Sequence, residues 1–202
     1  MSIRAILIGG LVATLAACAS APVGPESTGR FDDFTVAAGG TADFTGYDMV
    51  FLAPIAVSDD LMERVGYQPR SLRDDIRPLS ERELNAKVAQ FDEQLRAKLG
   101  PVATLTDGPG LGVLTIEVTL TDLEANRPTQ AELAASPGLS YESRAAGGAS
   151  ADVAFYEGER LLATARDTEV GTMRIDEIPG STWYEANQFF ARFASKVAGL
   201  LG

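Results

Sequence analysis

The sequence predicts an α+β domain: a mainly antiparallel sheet of about five strands packed by two amphipathic helices, in the order β-α-β-β-β-β-α. Three observations carry this expectation. Residues 80–99 place apolar side chains at helical spacing behind a capping signal. Residues 113–122, "VLTIEVTLTD", alternate apolar and polar side chains, as a half-buried strand does. Residues 148–171 read as two further runs around Glu157-Gly158, the pattern of a hairpin. Strands outnumber helices and most are joined by short turns, which favours antiparallel pairing. The 202 residues, 46 % hydrophobic and 22 % charged, suit one domain with a packed core.

Taken in order, residues 19–45 are rich in Gly, Ala, Pro, Ser and Thr and read as a tether; Phe31, Phe34 and Phe44 suggest that part of it packs on the domain. "YDMVFLAPIAVS", residues 47–58, is a continuous apolar run and reads as a strand buried on both faces. Residues 59–79 lack periodicity and read as loop. The helix follows, with Ser80 and Glu83 as a capping box and Leu79 as a staple onto Leu84. Leu84, Val88, Phe91, Leu95 and Leu99 share one face, and Gly100-Pro101 ends it. "PVATLTD" is a short strand, and Asp107-Gly108-Pro109-Gly110 a turn. In the next strand Leu114, Ile116, Val118 and Leu120 face one way and Thr115, Glu117, Thr119 and Thr121 the other. Residues 124–147 are a long connection of polar and small residues. After the hairpin, a last helix is expected from about Thr182, boxed by Glu185, with Ala186, Phe190, Phe193, Val197 and Leu201 inward.

The amino terminus carries an address. Arg4 supplies a positive charge, and residues 5–17, "AILIGGLVATLAA", are uncharged. A transmembrane helix needs about 20 apolar residues, so this run is too short to span a bilayer. It has the three parts of a secretory signal: charged start, apolar middle and small-residue exit. The exit is Leu15-Ala16-Ala17-Cys18, and Cys18 is the chain's single cysteine. Cleavage between Ala17 and Cys18 and lipidation of the Cys18 thiol are expected, because the four residues resemble the bacterial lipobox. Residues 1–17 are then a signal peptide, 18–45 a lipidated tether and 46–202 a single periplasmic domain. Two or more acyl chains anchor stably where one does not. The non-acidic Ala19 implies, by resemblance to the sorting pattern of such proteins, delivery to the outer membrane.

Composition narrows the chemistry. There is no histidine, which removes Ser-His-Asp and Cys-His catalysis and His-ligated zinc. Three lysines remain: Lys98 and Lys196 in last helical turns, and Lys87 on the outward face of the first helix. The net charge of −11, with no basic cluster, argues against nucleic acid and against adhesion to anionic lipid. "GPGLG", residues 108–112, mimics a phosphate loop but opens a strand, so it reads as a turn. Asp59-Asp60 and Asp74-Asp75 do not have the spaced-oxygen pattern of a calcium loop. Trp183-Tyr184 reads as a cap or core pair before it reads as a sugar platform. No catalytic, cofactor or metal residues are assigned. The two long connections, 59–79 and 124–147, exceed the usual length and are expected to flank one recognition surface.

"YDMVFLAPIAV", "LSERELNAKVAQFDEQLRAKLG", "GPGLGVLTIEVTLTDLEANRPT" and "GGASADVAFYEGERLLATA" together resemble a bacterial lipoprotein family known as domain of unknown function 3313, over about residues 20–200. The resemblance implies an outer-membrane-attached periplasmic protein with no assigned activity and no catalytic residues to transfer. The expected function is a lipid-anchored, non-catalytic binding or assembly module whose partners are the membrane, through its anchor, and an envelope protein or cell-wall component. A lipid-anchored hydrolase acting on envelope polymers is the alternative.

Overall fold

The computed structural model describes residues 30–67, 77–136, 138–140, 145–171 and 181–202. Residues 1–17, read as a signal peptide, Cys18 and Asp74-Asp75 lie outside them. The described chain forms β1 (Asp33–Val36), β2 (Met49–Leu52), β3 (Ala56–Val57), α1 (Asp59–Glu63), α2 (Glu81–Leu99), β4 (Thr104–Leu105), β5 (Val113–Glu124), α3 (Gln130–Ala135), β6 (Gly148–Glu157), β7 (Arg160–Val170) and α4 (Tyr184–Ala198). The strands make one seven-stranded sheet in the order β1-β7-β6-β5-β2-β4, with β3 also on β5.

This corrects the expected architecture. The sheet is mixed, not mainly antiparallel, and has seven strands and four helices in place of five and two. β1, β7, β6 and β5 pair antiparallel, but β2 and β3 run parallel to β5, and β4 parallel to β2. The cause is α2. A 19-residue helix returns the chain across the sheet, so the strands on either side of it point the same way. The apolar run 47–58 is not one strand. The Ala53 N–H still bonds the Ile116 carbonyl at 3.0 Å, but Pro54, which has no N–H to give, and Ile55 separate β2 from β3. Inside the stretch read as tether, β1 adds to the open edge of β7 with Phe34 opposite Ala165. Phe44 is fully buried and stacks on Phe155 at 4.7 Å.

The remaining helices have local signals. Ser58 Oγ accepts the Leu61 N–H and starts α1 within the expected 59–79 loop, where Asp59 and Asp60 complement the first turn. Thr129 and Glu132 form a full capping box for α3 inside the expected 124–147 loop. Ser80 and Glu83 form the predicted box of α2: the Ser80 hydroxyl accepts the Glu83 N–H at 3.2 Å, and Glu83 accepts the Ser80 N–H at 3.1 Å. The hairpin turns at Gly158, whose φ of 60° is left-handed, the region glycine enters without strain.

The core lies between one sheet face and the pair α2 and α4. Leu114, Ile116, Val118 and Leu120 of β5 are buried with Val153, Phe155 and Ala163, under Leu84, Phe91, Leu95, Phe190 and Phe193. A register shift between Leu120 and Asp122 lets both Leu120 and Leu123 face inward. Lys87 near the start of α2 bonds Asn187 near the start of α4, and Gly202 meets Val102 beyond their ends. The two helices therefore run in the same direction. The other sheet face is polar, carrying Glu117, Thr119, Asp152, Thr164 and Arg166.

Candidate functional site

β5 and β7 end, and β6 begins, at the same edge of the sheet: Glu124 pairs with Gly148, and Gly148 with Val170. β3 ends there too, since Val57 pairs with Leu120. The connections after β3, β5 and β7 therefore leave from one end, and both α2 and α4 start there. The described parts of the two segments expected to flank a common surface, 59–67 with 77–79 and 124–136 with 145–147, are brought together at this loop end.

Two arginines join them. Arg64, at the C-terminus of α1, donates through Nη1 to Asp122 at 2.9 Å and lies 2.9 Å from Glu124. Its Nε donates to the Arg77 carbonyl at 2.9 Å. Arg77 donates to Glu124 at 2.6 Å, to Glu132 of α3, and to the Ala125 carbonyl at 3.0 Å. Burial by itself would lower the Arg77 pKa, but the hydrogen bonds and charges of Glu132 and Glu124 outweigh it and hold it above the ordinary value. Glu132 is 5 % exposed, yet its other oxygen accepts the Thr129 N–H at 2.7 Å, so the buried carboxylate is fully engaged. Glu83 of α2 extends the network by accepting the Gln130 N–H at 3.2 Å. A paired, partly buried guanidinium fork fixes geometry better than single exposed ion pairs do. The chemistry is that of a frame, in which two guanidiniums tie together carboxylates from β5 and α3.

Asn126 ties the same end to α4. The expected Thr182–Glu185 box does not form: α4 is capped at Trp183 with no side-chain bond of its own. Instead Asn126 Oδ1 accepts the Glu185 N–H at 2.9 Å, its Nδ2 donates to the Ala146 carbonyl at 2.8 Å, and its N–H donates to the Thr182 carbonyl at 2.7 Å. Gly147 sits against that amide at φ 68°, and a Cβ there would lie 2.4 Å from Nδ2. Asn126→Ala should cost about 1–3 kcal/mol, because it leaves the half-buried Ala146 carbonyl and a helix N–H unpaired. Urea unfolding checks this, and a loss below about 0.5 kcal/mol would show that water replaces the amide.

Other expected residues fall into place around the frame. Trp183 is half-buried at the α4 start and Tyr184 is 42 % exposed. Lys87 is not on a solvated face. It is half-buried, bonds Gln90 at 2.7 Å and Asn187 at 2.9 Å, and lies 5.6 Å above the Trp183 ring; burial lowers its pKa. Lys196 does more than complement a dipole, since both oxygens of buried Asp167 accept its ammonium at 2.8 Å. "GPGLG" is a turn closed by the Val113 N–H on the Gly110 carbonyl, with Leu111 fully exposed. Asp59 and Asp60 lie in the first turn of α1. Among the described residues no group of three or more His, Cys, Asp or Glu is placed to hold a metal ion, and no helix is long and apolar enough to cross a membrane. The polar sheet face holds a shallow hollow of about 390 Å³, but its Arg166 is already bonded to Asp152 at 2.6 and 2.8 Å.

The network had a partial signal in sequence. A T-x-x-E capping pattern at Thr129 and Glu132 stood inside the stretch read as loop, whereas nothing marked the pairing of Arg64 and Arg77 with acids 47 to 60 positions away.

Fold and surface together define a two-layer α/β domain with its long connections gathered at one end. The chain belongs to the family described as "Protein of unknown function (DUF3313)", which matches residues 40–197. A comparison with curated proteins finds no match. Two solved structures of the PelC dodecamer from Paraburkholderia phytofirmans are each 12 % identical to it. One, a leucine-to-methionine variant, covers 84 % of this chain and 97 % of its own with a TM-score of 0.36. The other covers 83 % and 96 % with a TM-score of 0.37. A crystal structure of an uncharacterized protein is 15 % identical, covers 76 % of this chain and 88 % of its own, and has a TM-score of 0.38.

Proposed function

We propose that this chain is a cell-envelope lipoprotein, held at the outer membrane by lipid on Cys18 after removal of residues 1–17, whose domain works by binding and not by catalysis. The surface that binds is the loop end, and its partner is an envelope protein or cell-wall component. The observation that carries the reading is the Arg64–Arg77 frame. It ties Arg64 and Arg77 of the 59–79 connection to β5 and to α3 within the 124–147 connection, so side chains displayed beside them, such as Met62 and Leu139, sit on a fixed support. Recognition residues sit on loops held by a rigid scaffold. A lipid tether raises the effective concentration of any partner in the same membrane. Lys87 and Lys196 are engaged with neighbouring side chains, and no histidine is present, which leaves few ways to activate a nucleophile.

Cys18→Ser should release the protein from the membrane fraction or leave residues 1–17 uncut. A Cys18→Ser protein that is processed and still fractionates with the outer membrane overturns the anchor. Photo-crosslinkers at Met62 and Leu139 should capture an envelope component in intact cells, whereas one at Leu111, at the far end, should not. If purified protein turns over a cell-wall substrate and one carboxylate substitution stops it without unfolding, the binding reading fails.

A further inference from the structure

We infer that β1 and the Phe31 ring before it are a strap that opens without the rest of the domain, and that its closing sets how far the domain reaches from the membrane; the effect on reach rests on the anchored reading. The first ground is that strap and domain have separate anchors. β1 brings four residues to the sheet, and three of them are exposed. Phe31 adds an edge-on contact with Phe193 at 5.4 Å, with the Lys196 ammonium 5.9 Å above its ring, and Asp32 accepts the Thr168 N–H at 2.7 Å. The next anchor along the chain is Phe44, fully buried and stacked on Phe155. Between the two the chain turns: the Gly40 N–H bonds the Ala37 carbonyl at 2.8 Å, and Gly39 takes a left-handed φ of 73°.

The second ground is what the strap covers. β1 pairs only with Ala163–Arg166, on one edge of the 11-residue β7. β7 keeps its whole pairing with β6 without it, from Val170 opposite Gly148 to Arg160 opposite Glu157. Residues 40–197, the stretch that the family matches, hold every other strand of the sheet and leave β1 out. Opening thus gives up four cross-strand pairs and one ring contact while the other six strands stay paired. Elements with so few buried contacts open at the low end of a protein's range of local stabilities. When closed, the strap also covers the β7 edge, whose free backbone groups would otherwise accept a strand from another chain.

The third ground is length. Cys18 is 12 positions from Arg30 and 26 from Phe44. At full extension those segments reach about 42 Å and about 91 Å. Closing the strap therefore removes more than half of the longest reach that the anchor allows.

Backbone amides along a strand point alternately to its two neighbours. The Ala37 N–H bonds the Leu162 carbonyl, which turns the Thr35 N–H toward β7, the Thr164 and Arg166 amides toward β1, and those of Ala163 and Ala165 toward β6. Hydrogen exchange, followed residue by residue in the full lipidated protein in detergent micelles and corrected for intrinsic rates, should be at least about ten-fold faster at Thr164 and Arg166 than at Ala163 and Ala165. A smaller ratio overturns the strap. A disulfide joining Phe34→Cys to Ala165→Cys, which stand opposite each other, should bring the ratio close to one until it is reduced; a ratio that the bridge leaves unchanged also overturns it. For the reach, Phe31→Ala/Thr35→Pro removes the ring and a ladder N–H and holds the strap open. On a supported phosphatidylcholine bilayer, neutron reflectometry should place its protein layer farther out than that of the bridged protein by roughly 10 Å, the difference in mean span between unstructured chains of 26 and 12 residues. Layers at the same height overturn the effect on reach while the anchor stands. Lipidated protein that washes off the bilayer sinks the anchored reading, and the exchange ratio still decides the strap.

Discussion

Lys196→Met is expected to destabilise the protein by about 3–5 kcal/mol at neutral pH, because it strands a buried carboxylate. Asp167 on β7 is 4 % exposed, and both its oxygens accept hydrogen bonds from the Lys196 ammonium. Burial pushes the Asp167 carboxyl above its usual 3.8; Lys196 opposes this through its hydrogen bond and charge without cancelling it. A folded-state pKa above the unfolded one means that the folded protein holds the proton more tightly. Through this group, stability is present below the ordinary carboxylate range and falls as pH rises through the raised value. Removing Lys196 takes away the opposing influence and moves the folded pKa higher still. The loss in Lys196→Met should therefore be largest near pH 7 and shrink in mild acid, where Asp167 takes up a proton. The double variant Lys196→Met/Asp167→Leu should recover most of the loss, since neither member is then left as a buried charge. Urea unfolding at two pH values measures both effects, and a loss that does not change with pH would show that packing, not charge, is what Lys196 supplies.

Phe91→Ala should cost about 3–5 kcal/mol at any pH. The ring is fully buried where α2 crosses α4, stacked on Phe190 at 4.4 Å and 15°, edge-on to Phe193 at 5.4 Å and tilted to Phe189 at 6.2 Å. Its loss opens a cavity bounded by three rings and the sheet, and close-packed interiors relax only in part. Phe91→Leu should cost less, about 1–2 kcal/mol, because it keeps volume and loses ring contacts. Arg96→Ala on the exposed face of the same helix, which removes an i, i+4 pair with Asp92, should stay within about 0.5 kcal/mol. A Phe91→Ala loss as small as that of Arg96→Ala would mean that the apolar stripe of α2 is not its buried face.

The candidate surface was legible only in outline. Two overlong connections pointed to one surface, and the structure gathers their described parts at one end of the sheet. What holds them there was not legible: Arg64 and Arg77 look like ordinary loop charges until β5 supplies Asp122 and Glu124 and α3 supplies Glu132. Asn126 likewise reads as a polar loop residue, and only the fold makes it the cap of a helix that starts 58 positions later.

By itself the sequence determined the elements whose information is local. The capping box and stripe of α2, the alternation of β5, the hairpin around Gly158 and the inward face of α4 each depend on side chains within one or two turns, or on one face of one strand. Tertiary structure alone decided the sheet's order and direction, the break at Pro54, the recruitment of β1 to the edge of β7, and the burial of Asp167 with Lys196. Those features depend on which surfaces meet across long separations in sequence. Backbone hydrogen-bonding groups on an open strand edge accept any extended segment that also buries its apolar side chains, and a periodic pattern does not say which segment will reach that edge first or from which direction.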